Sequence, residues 1–274
     1  MLIYANAKIN LALEVLDIKN GYHMVNNIMI PIDLYDEIDI SKSDKIEIED
    51  DPFPGNNLVE KAAKLFFEYT KIAGGAKIKI KKNIPSASGL AGGSSDAMAT
   101  LIGLNTMYQT ELSKDVLLEL ASKLGSDVGF FINQEPALCT GRGDIIDPIN
   151  STIDDFDILL IKPNGELSTK EVYSNYVPKN GINSSKVDNI IEALKENDLE
   201  ALKENVFNEL TDSALSLSKE MNYIYNLLKN NNLNPHVSGS GPSMFIIDPK
   251  EEEIDRVYEL LKNQECLIMK IKTI

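Results

Sequence analysis

Ile3, Ala5, Ala7, Ile9, Leu11, Leu13 and Val15 fall on alternate positions, the period of a half-buried strand. Tyr4, Asn6, Lys8 and Asn10 then share the opposite face, which reads as polar and solvated because a strand lysine is ordinarily exposed. Ile28, Ile30, Ile32 and Leu34 resume the alternation after an Asn20-Gly21 turn signal and predict a partner strand. Residues 45–49 predict a short strand, followed by a loop over 51–57. The period then changes: Leu58, Ala62, Leu65, Phe66 and Tyr69 recur at three- and four-residue steps, predicting an amphipathic helix that stops at Gly74-Gly75. Residues 76–80 return to strand. A helix starting at Ser94-Ser95-Asp96 runs through Tyr108, and Ser113 caps another that ends near Gly125.

Further strand patterns lie at 137–140 and 158–161. Helical periodicity marks 187–195, 199–210 and 217–228. The chain closes with strand–loop–strand over 235–247, a helix near 251–261 and a last strand at 267–271. Strands and helices mix without regular βαβ alternation, which predicts an α+β fold and not a doubly wound sheet. The stretch 150–156 is the expected boundary between two domains, 1–152 and 153–274.

Composition narrows the function. Lys and Arg number 27 against 42 Asp and Glu, a net charge of −15. Such a field repels phosphate backbones and anionic headgroups, so neither nucleic acid nor a membrane surface is the expected partner. A small anion remains compatible where backbone N–H groups and a few cations gather. Two cysteines, Cys139 and Cys266, cannot build a disulfide framework, and no Cys/His spacing suggests zinc. The N-terminus lacks a signal-peptide layout and no apolar run is long enough to span a bilayer, so a cytoplasmic protein is expected, as monomer or homodimer.

The stretch Pro85-Ser86-Ala87-Ser88-Gly89-Leu90-Ala91-Gly92-Gly93-Ser94-Ser95 sits between a predicted strand and a predicted helix, with Leu90 its single large side chain. Glycines there let backbone approach a ligand closely, and the helix start offers unpaired N–H groups and the positive dipole end to an anion. Ser94 and Ser95 add hydroxyls able to donate to phosphate or ligate Mg²⁺. No Gly-Lys-Ser/Thr follows, so the loop is not a Walker A sequence, nor is it GxGxxG. Its length in small residues exceeds what a simple connection requires. A second Gly/Ser loop, Val237 to Met244, reads equally as a hairpin turn or a ligand loop, and residues 140–144 read as a turn.

Lys8 and Asp127 suit phosphoryl transfer to an alcohol. A carboxylate can take the hydroxyl proton, and an ammonium lowers that carboxylate's pKa and steadies developing charge. Taken singly, Asp127 reads equally as an Asx turn or helix cap. His23 and His236 are the two histidines, and no GxSxG elbow accompanies them, which argues against a serine hydrolase.

The loop over 85–95, with Asp96-Ala97 after it, resembles the central motif of the GHMP kinases. Ala7-Lys8-Ile9-Asn10-Leu11 is similar to that superfamily's N-terminal motif, and Ser238-Gly239-Ser240-Gly241-Pro242 to its C-terminal one. Gly21-Tyr22-His23, Gly125-Ser126-Asp127-Val128 and Thr140-Gly141-Arg142-Gly143-Asp144 look most like the branch acting on a cytidine-diphosphate-linked methylerythritol in non-mevalonate isoprenoid precursor synthesis. The resemblance implies a two-domain GHMP kinase fold, ribosomal-S5-like in its N-terminal half and ferredoxin-like in its C-terminal half. It implies ATP with Mg²⁺, Asp127 as general base and Lys8 as its partner. Residues 85–95 would hold the ATP phosphates, with Ser94 toward the metal and Asn57 and Lys82 near the nucleotide base and ribose. Asn10, Tyr22, His23, Thr169 and Tyr173 match the cytidyl pocket, His23 reading the cytosine edge and aromatics stacking on it. Two other readings stay open: a GHMP kinase for a homoserine- or mevalonate-like alcohol, which has no base to stack, and a nucleotide-binding sensor without turnover.

Overall fold

The computed structural model describes residues 1–19, 21–49, 57–178 and 184–274, so Asn20 and most of the 51–57 loop lie outside the described residues. Contacts gather the chain into two compact units that interleave along the sequence. The first is Met1–Ala7, Leu34–Ser86 and Ala91–Gln134; the second is Lys8–Asp33, Ala87–Leu90 and Glu135–Ile274. Strands β1 (Leu2–Lys19) and β2 (Tyr22–Ser43) contribute residues to both.

In the first unit, β3 (Glu47–Glu49) runs parallel to β4 (Gly75–Lys81), and β4 pairs antiparallel with β2 in a register that sets Ile38 opposite Ile80 and Ile40 opposite Ile78. Three helices complete it: α1 (Leu58–Thr70), α2 (Gly92–Tyr108) and α3 (Lys114–Leu124). The expected cap of α3 is present, with Ser113 accepting from the Val116 N–H. Helix α1 ends earlier than the Gly74-Gly75 pair suggested. Lys71 adopts the left-handed conformation at φ 56° and returns its N–H to Phe67, so a terminus that usually uses glycine is made by a lysine.

Helix α2 is the central element. Its buried residues lie all around the axis instead of along one stripe, as in a helix enclosed by core. Gly103 makes this possible: a Cβ there would lie 2.5 Å from a methyl of Ile3 and 2.6 Å from one of Ile40. A side chain at that point would require both methyls to move aside.

The second unit contains the hairpin of β5 (Ala137–Thr140) and β6 (Ile145–Pro148), with β5 pairing to β2. Its separate antiparallel sheet is ordered β11-β7-β10-β9, from β7 (Asp157–Pro163), β9 (His236–Val237), β10 (Met244–Ile247) and β11 (Cys266–Lys272). Helices α4 (Thr169–Ser174), α5 (Ser184–Glu196), α6 (Leu199–Asn205), α7 (Thr211–Leu217), α8 (Lys219–Asn230) and α9 (Glu251–Leu261) belong here too. Met221, Ile224 and Leu228 of α8 and Ile254, Val257 and Leu261 of α9 meet Leu159, Ile161, Met244 and Ile246 in one core.

The continuous helix expected over 199–210 does not form. It stops at Asn205, and β8 (Phe207–Asn208) pairs in parallel with Ala12 and Leu13 of β1. Asn208 decides the break. Its Nδ2 donates to the carbonyls of Val237 and Gly239, at 2.9 and 2.7 Å, and its Oδ1 accepts from Leu210. Two tertiary hydrogen bonds and one local one outweigh the weak helical preference of one residue.

Candidate active site

The predicted residues divide between the two units. In the first, residues 91–95 lead into α2, which begins at Gly92, two residues before the expected start. Ala91 forms its N-cap in the left-handed region at φ 57°, with no side-chain cap. Helices α1, α3, α4, α6 and α8 each carry a capping side chain and a carboxylate in the first turn; α2 has neither. Its positive end is therefore left for an external anion. The Ser94 and Ser95 N–H groups both turn back to the Ala91 carbonyl, so Ser94 lies within the first turn.

Behind this turn is a buried ionic cluster. Lys82 donates to Asp36 and, at 2.7 Å, to Asp96 Oδ2. The other oxygen of Asp36 accepts the N–H groups of Asn83 and Ile84, at 2.6 and 2.8 Å, which fixes the chain as it leaves β4. Lys82 was expected beside the nucleotide; its ammonium is engaged by two carboxylates. Burial foremost, then the charge of Asp36, pushes the Asp96 carboxyl up to about 7, against the opposing pull of Lys82. Between pH 3.8 and about 7 the native state thus holds a proton that the unfolded chain has released. Stability from this group is present below that window and is lost as pH rises through it. Thermal melts of Asp96→Asn and the native protein should diverge in the variant's favour from about pH 4 to about pH 7, and parallel curves would exclude the effect.

Ser95 Oγ and Asp96 Oδ1 are buried and have no hydrogen-bond partner. Ser94, the residue expected toward the metal, would offer its hydroxyl to Mg²⁺ at this helix start. No group of three or more His, Cys, Asp or Glu is arranged for a metal among the described residues, so the ion would draw further ligands from phosphate and water, as Mg²⁺ ordinarily does. Asn57 caps α1, its Oδ1 accepting from the Val59 N–H at 2.9 Å. Asp127 stands half-buried in the turn between Gly125, which caps the end of α3, and a 3₁₀ turn at Gly129–Ile132.

In the second unit the even-numbered face of β1 is not solvated. Lys8 is 2% exposed and Asn10 1%, overturning the solvated reading of that face. The Lys8 ammonium donates to Asn10 Oδ1 at 2.6 Å and to the Gly89 carbonyl at 2.8 Å, while its backbone N–H reaches Leu90. Asn10 in turn donates to Asn27 Oδ1 at 2.6 Å. Its carboxamide, expected in the cytidyl pocket, holds the lysine. Ser238 Oγ lies 3.0 Å from the Gly89 carbonyl and 3.2 Å from Asn10 Oδ1, and the Ser243 N–H donates to Ser88. Asn27 carried no sequence signal, whereas Ser238 and Ser243 lay in the second Gly/Ser loop.

Gly89 sits at φ +79°, and a Cβ there would fall 2.1 Å from the Ser238 carbonyl oxygen. Gly89→Ala combines left-handed strain of about 1–3 kcal/mol with that overlap. A Tm drop of at least about 4 °C is expected, with loss of turnover, since a domain of this size loses about 2–4 °C per kcal/mol. An unchanged Tm would show that the loop relaxes freely.

A second cluster surrounds His23. Its ring centroid is 5.3 Å from that of Tyr173, tilted by 34°, and 6.2 Å from Tyr176, nearly perpendicular at 86°. His23 Nδ1 is buried with no hydrogen-bond partner. Tyr173, which the resemblance implied as a stacking position of the cytidyl pocket, thus packs directly on the His23 ring. Tyr22 is 56% exposed, and the Arg142 guanidinium lies 5.2 Å over its ring while pairing with Asp144. Thr169 Oγ1 meets Ser240 Oγ at 2.9 Å. Arg142 and Tyr176 were not expected as site residues: one lay in a stretch read as a turn, the other outside any motif.

Comparison with known proteins gives this geometry its class. Residues 57–141 match the model of the GHMP kinases N terminal domain and residues 190–265 that of the GHMP kinases C terminal domain. A 4-diphosphocytidyl-2-C-methyl-D-erythritol kinase of Clostridioides difficile is 40% identical, covering 94% of this chain and 90% of the relative. Another, of Bacillus cytotoxicus, is 38% identical over 96% and 93%. A crystal structure of 4-(cytidine 5'-diphospho)-2C-methyl-D-erythritol kinase superposes with TM-score 0.80 at 27% identity, covering 99% of each chain. A homoserine kinase from Cytophaga hutchinsonii, TM-score 0.72 at 16% identity over 98% of each chain, shares the fold. The chain belongs to the 4-diphosphocytidyl-2-C-methyl-D-erythritol kinase family of GHMP kinases.

Proposed function

We propose that the protein transfers the γ-phosphate of ATP to the 2-hydroxyl of 4-diphosphocytidyl-2-C-methyl-D-erythritol, in the cytoplasm, as a step of non-mevalonate isoprenoid precursor synthesis. The observation that carries the proposal is Lys8, a buried ammonium held on the Gly89 carbonyl of the small-residue loop. In an acidic protein a buried cation bound to a glycine-rich bend is explained by an anionic reaction centre. The family relationship supplies the acceptor.

In this mechanism the substrate hydroxyl attacks the γ-phosphorus, its proton passes to the Asp127 carboxylate, and the bond to the β-phosphate oxygen breaks to release ADP. Lys8 stabilises the charge that develops on the attacking oxygen. Backbone N–H groups of residues 85–95 bind the triphosphate. Ser94 would hold Mg²⁺, which would supply neutralisation of the phosphate charge. Asn57 lies toward the nucleoside and Lys82 near it, its ammonium held by Asp36 and Asp96, while Tyr22, His23, Thr169 and Tyr173 receive the cytidine diphosphate group, with Asn10 beneath Lys8. Residues 1–152 and 153–274 form the two domains of this reading, and the two family matches fall on either side of that division. Among the described residues no helix is long and apolar enough to cross a membrane.

The direct test incubates the purified protein with ATP, Mg²⁺ and the cytidyl acceptor. ADP and a 2-phosphorylated product are expected in equal amounts. Transfer to homoserine or mevalonate instead would replace the acceptor. ATP binding without transfer to any alcohol would make the protein a sensor. Cytidine 5'-diphosphate at 100 times its Kd should stabilise the fold by about 2.7 kcal/mol.

A further inference from the structure

Glu209 immediately follows β8, whose pairing with β1 brings the Glu209 N–H to the Leu13 carbonyl at 2.9 Å. Its carboxylate returns to the same strand. Oε2 accepts from the Val15 N–H at 2.9 Å and from the Tyr176 hydroxyl at 2.8 Å. Glu209 is buried, so these are charge-assisted bonds in a poorly solvated setting. Tyr176 is thereby tied to β1, and its ring stands nearly perpendicular to the imidazole of His23. Tyr173 packs on His23 at a shallower tilt. A histidine's χ2 is intrinsically broad, and one tilted neighbour does not hold it. A second, perpendicular ring whose own hydroxyl is anchored does. The orphaned, buried Nδ1 of His23 is the atom for which such control matters, because a buried polar atom without a partner calls for one.

We propose that Tyr176 and Glu209 are positioning residues that set the His23 imidazole for reading the edge of the pyrimidine in a cytidine diphosphate group. The inference rests on the acceptor proposed above. Neither residue touches the reacting atoms; the carboxylate orients the tyrosine, and the tyrosine orients the histidine. Pyrimidine choice is therefore where their loss registers.

The test compares Tyr176→Phe and Glu209→Gln with the native protein, using calorimetric titration of cytidine 5'-diphosphate and uridine 5'-diphosphate. The native protein should prefer the cytidine ligand. Both variants should lose about tenfold in affinity for it and little for the uridine ligand, well short of the roughly hundredfold cost of misplacing a reacting group. Acceptor KM should rise by a similar factor, with kcat and the KM for ATP within about twofold. Discrimination retained in a folded variant overturns the positioning role, and so does an equal loss for ATP and both pyrimidines, which marks general disruption. If the native protein itself fails to bind cytidine 5'-diphosphate, the acceptor assignment falls and the positioning role falls with it. Tyr176→Phe removes a single oxygen and keeps the ring, so it reports on the folded protein even if Glu209→Gln unfolds.

Discussion

Asp127→Asn lowers kcat by at least about 10²-fold, the scale of a general base, while leaving the fold and the KM for ATP essentially unchanged. The carboxamide matches the carboxylate in size and can still serve the turn between the end of α3 and the 3₁₀ turn, where Asp127 is half-buried. It cannot accept a proton. The pre-attack hydroxyl then has to shed its proton later in the reaction, and the barrier rises. The measurement is steady-state turnover with the cytidyl acceptor, together with a thermal melt. Native kcat in a folded variant removes Asp127 from the role.

Lys8→Met produces the second large effect, on turnover and stability together. The thioether fills much of the volume of the lysine stem but brings no donor, leaving Asn10 Oδ1 and the Gly89 carbonyl short of the bonds they receive at 2.6 and 2.8 Å. An unsatisfied buried acceptor costs about 1–3 kcal/mol. Ser238 Oγ can compensate one of the two, since its single proton serves either acceptor. Tm should therefore fall by about 2–10 °C, and kcat by about 10²-fold or more with the charge on the attacking oxygen left unbalanced. Lys8→Arg should not rescue: the site is 2% exposed and has no room for a planar fork. A folded Lys8→Met variant with near-native turnover would show that the ammonium is purely structural.

The two variants separate roles that the sequence motifs join. Asp127 belongs to the first unit and Lys8 to the second. Asp127 sits in a short turn, so its replacement disturbs little. Lys8 ties the glycine-rich bend to β1, so its loss should be felt in the melt as well as the rate.

Much was legible from local patterns. The boundaries of α3 follow from Ser113 and Gly125, and those of α9 and β10 from the change of period, because each is decided by residues adjacent in sequence. The small-residue tract before α2 stood out for the same reason: the lack of bulk and the proximity of a helix start are local facts. That His23 and Tyr173 would share a pocket was implied by the family resemblance and not by periodicity; that their rings lie against each other is seen only in the structure.

Other features depend on contacts between residues far apart in the chain. Alternation alone cannot say whether the second face of a strand meets water or protein, and β1 is covered on both sides from Ala5 to Val15. Lys8 thus changed from an ordinary surface lysine to the buried centre of the loop clamp. Asn208 broke an expected helix because two carbonyls of a distant hairpin claimed its amide. Asp36 met Lys82 and Asp96 only through the pairing of β2 with β4 and the seating of α2. The amino-acid order alone therefore determined most of the elements, their periods and the presence of a small-residue tract before a helix, since these rest on steric and hydrogen-bonding preferences within a few residues. Which charges are buried, which amides are claimed and which rings stand against His23 was left to the tertiary structure, because desolvation and pairing depend on what the folded chain brings alongside.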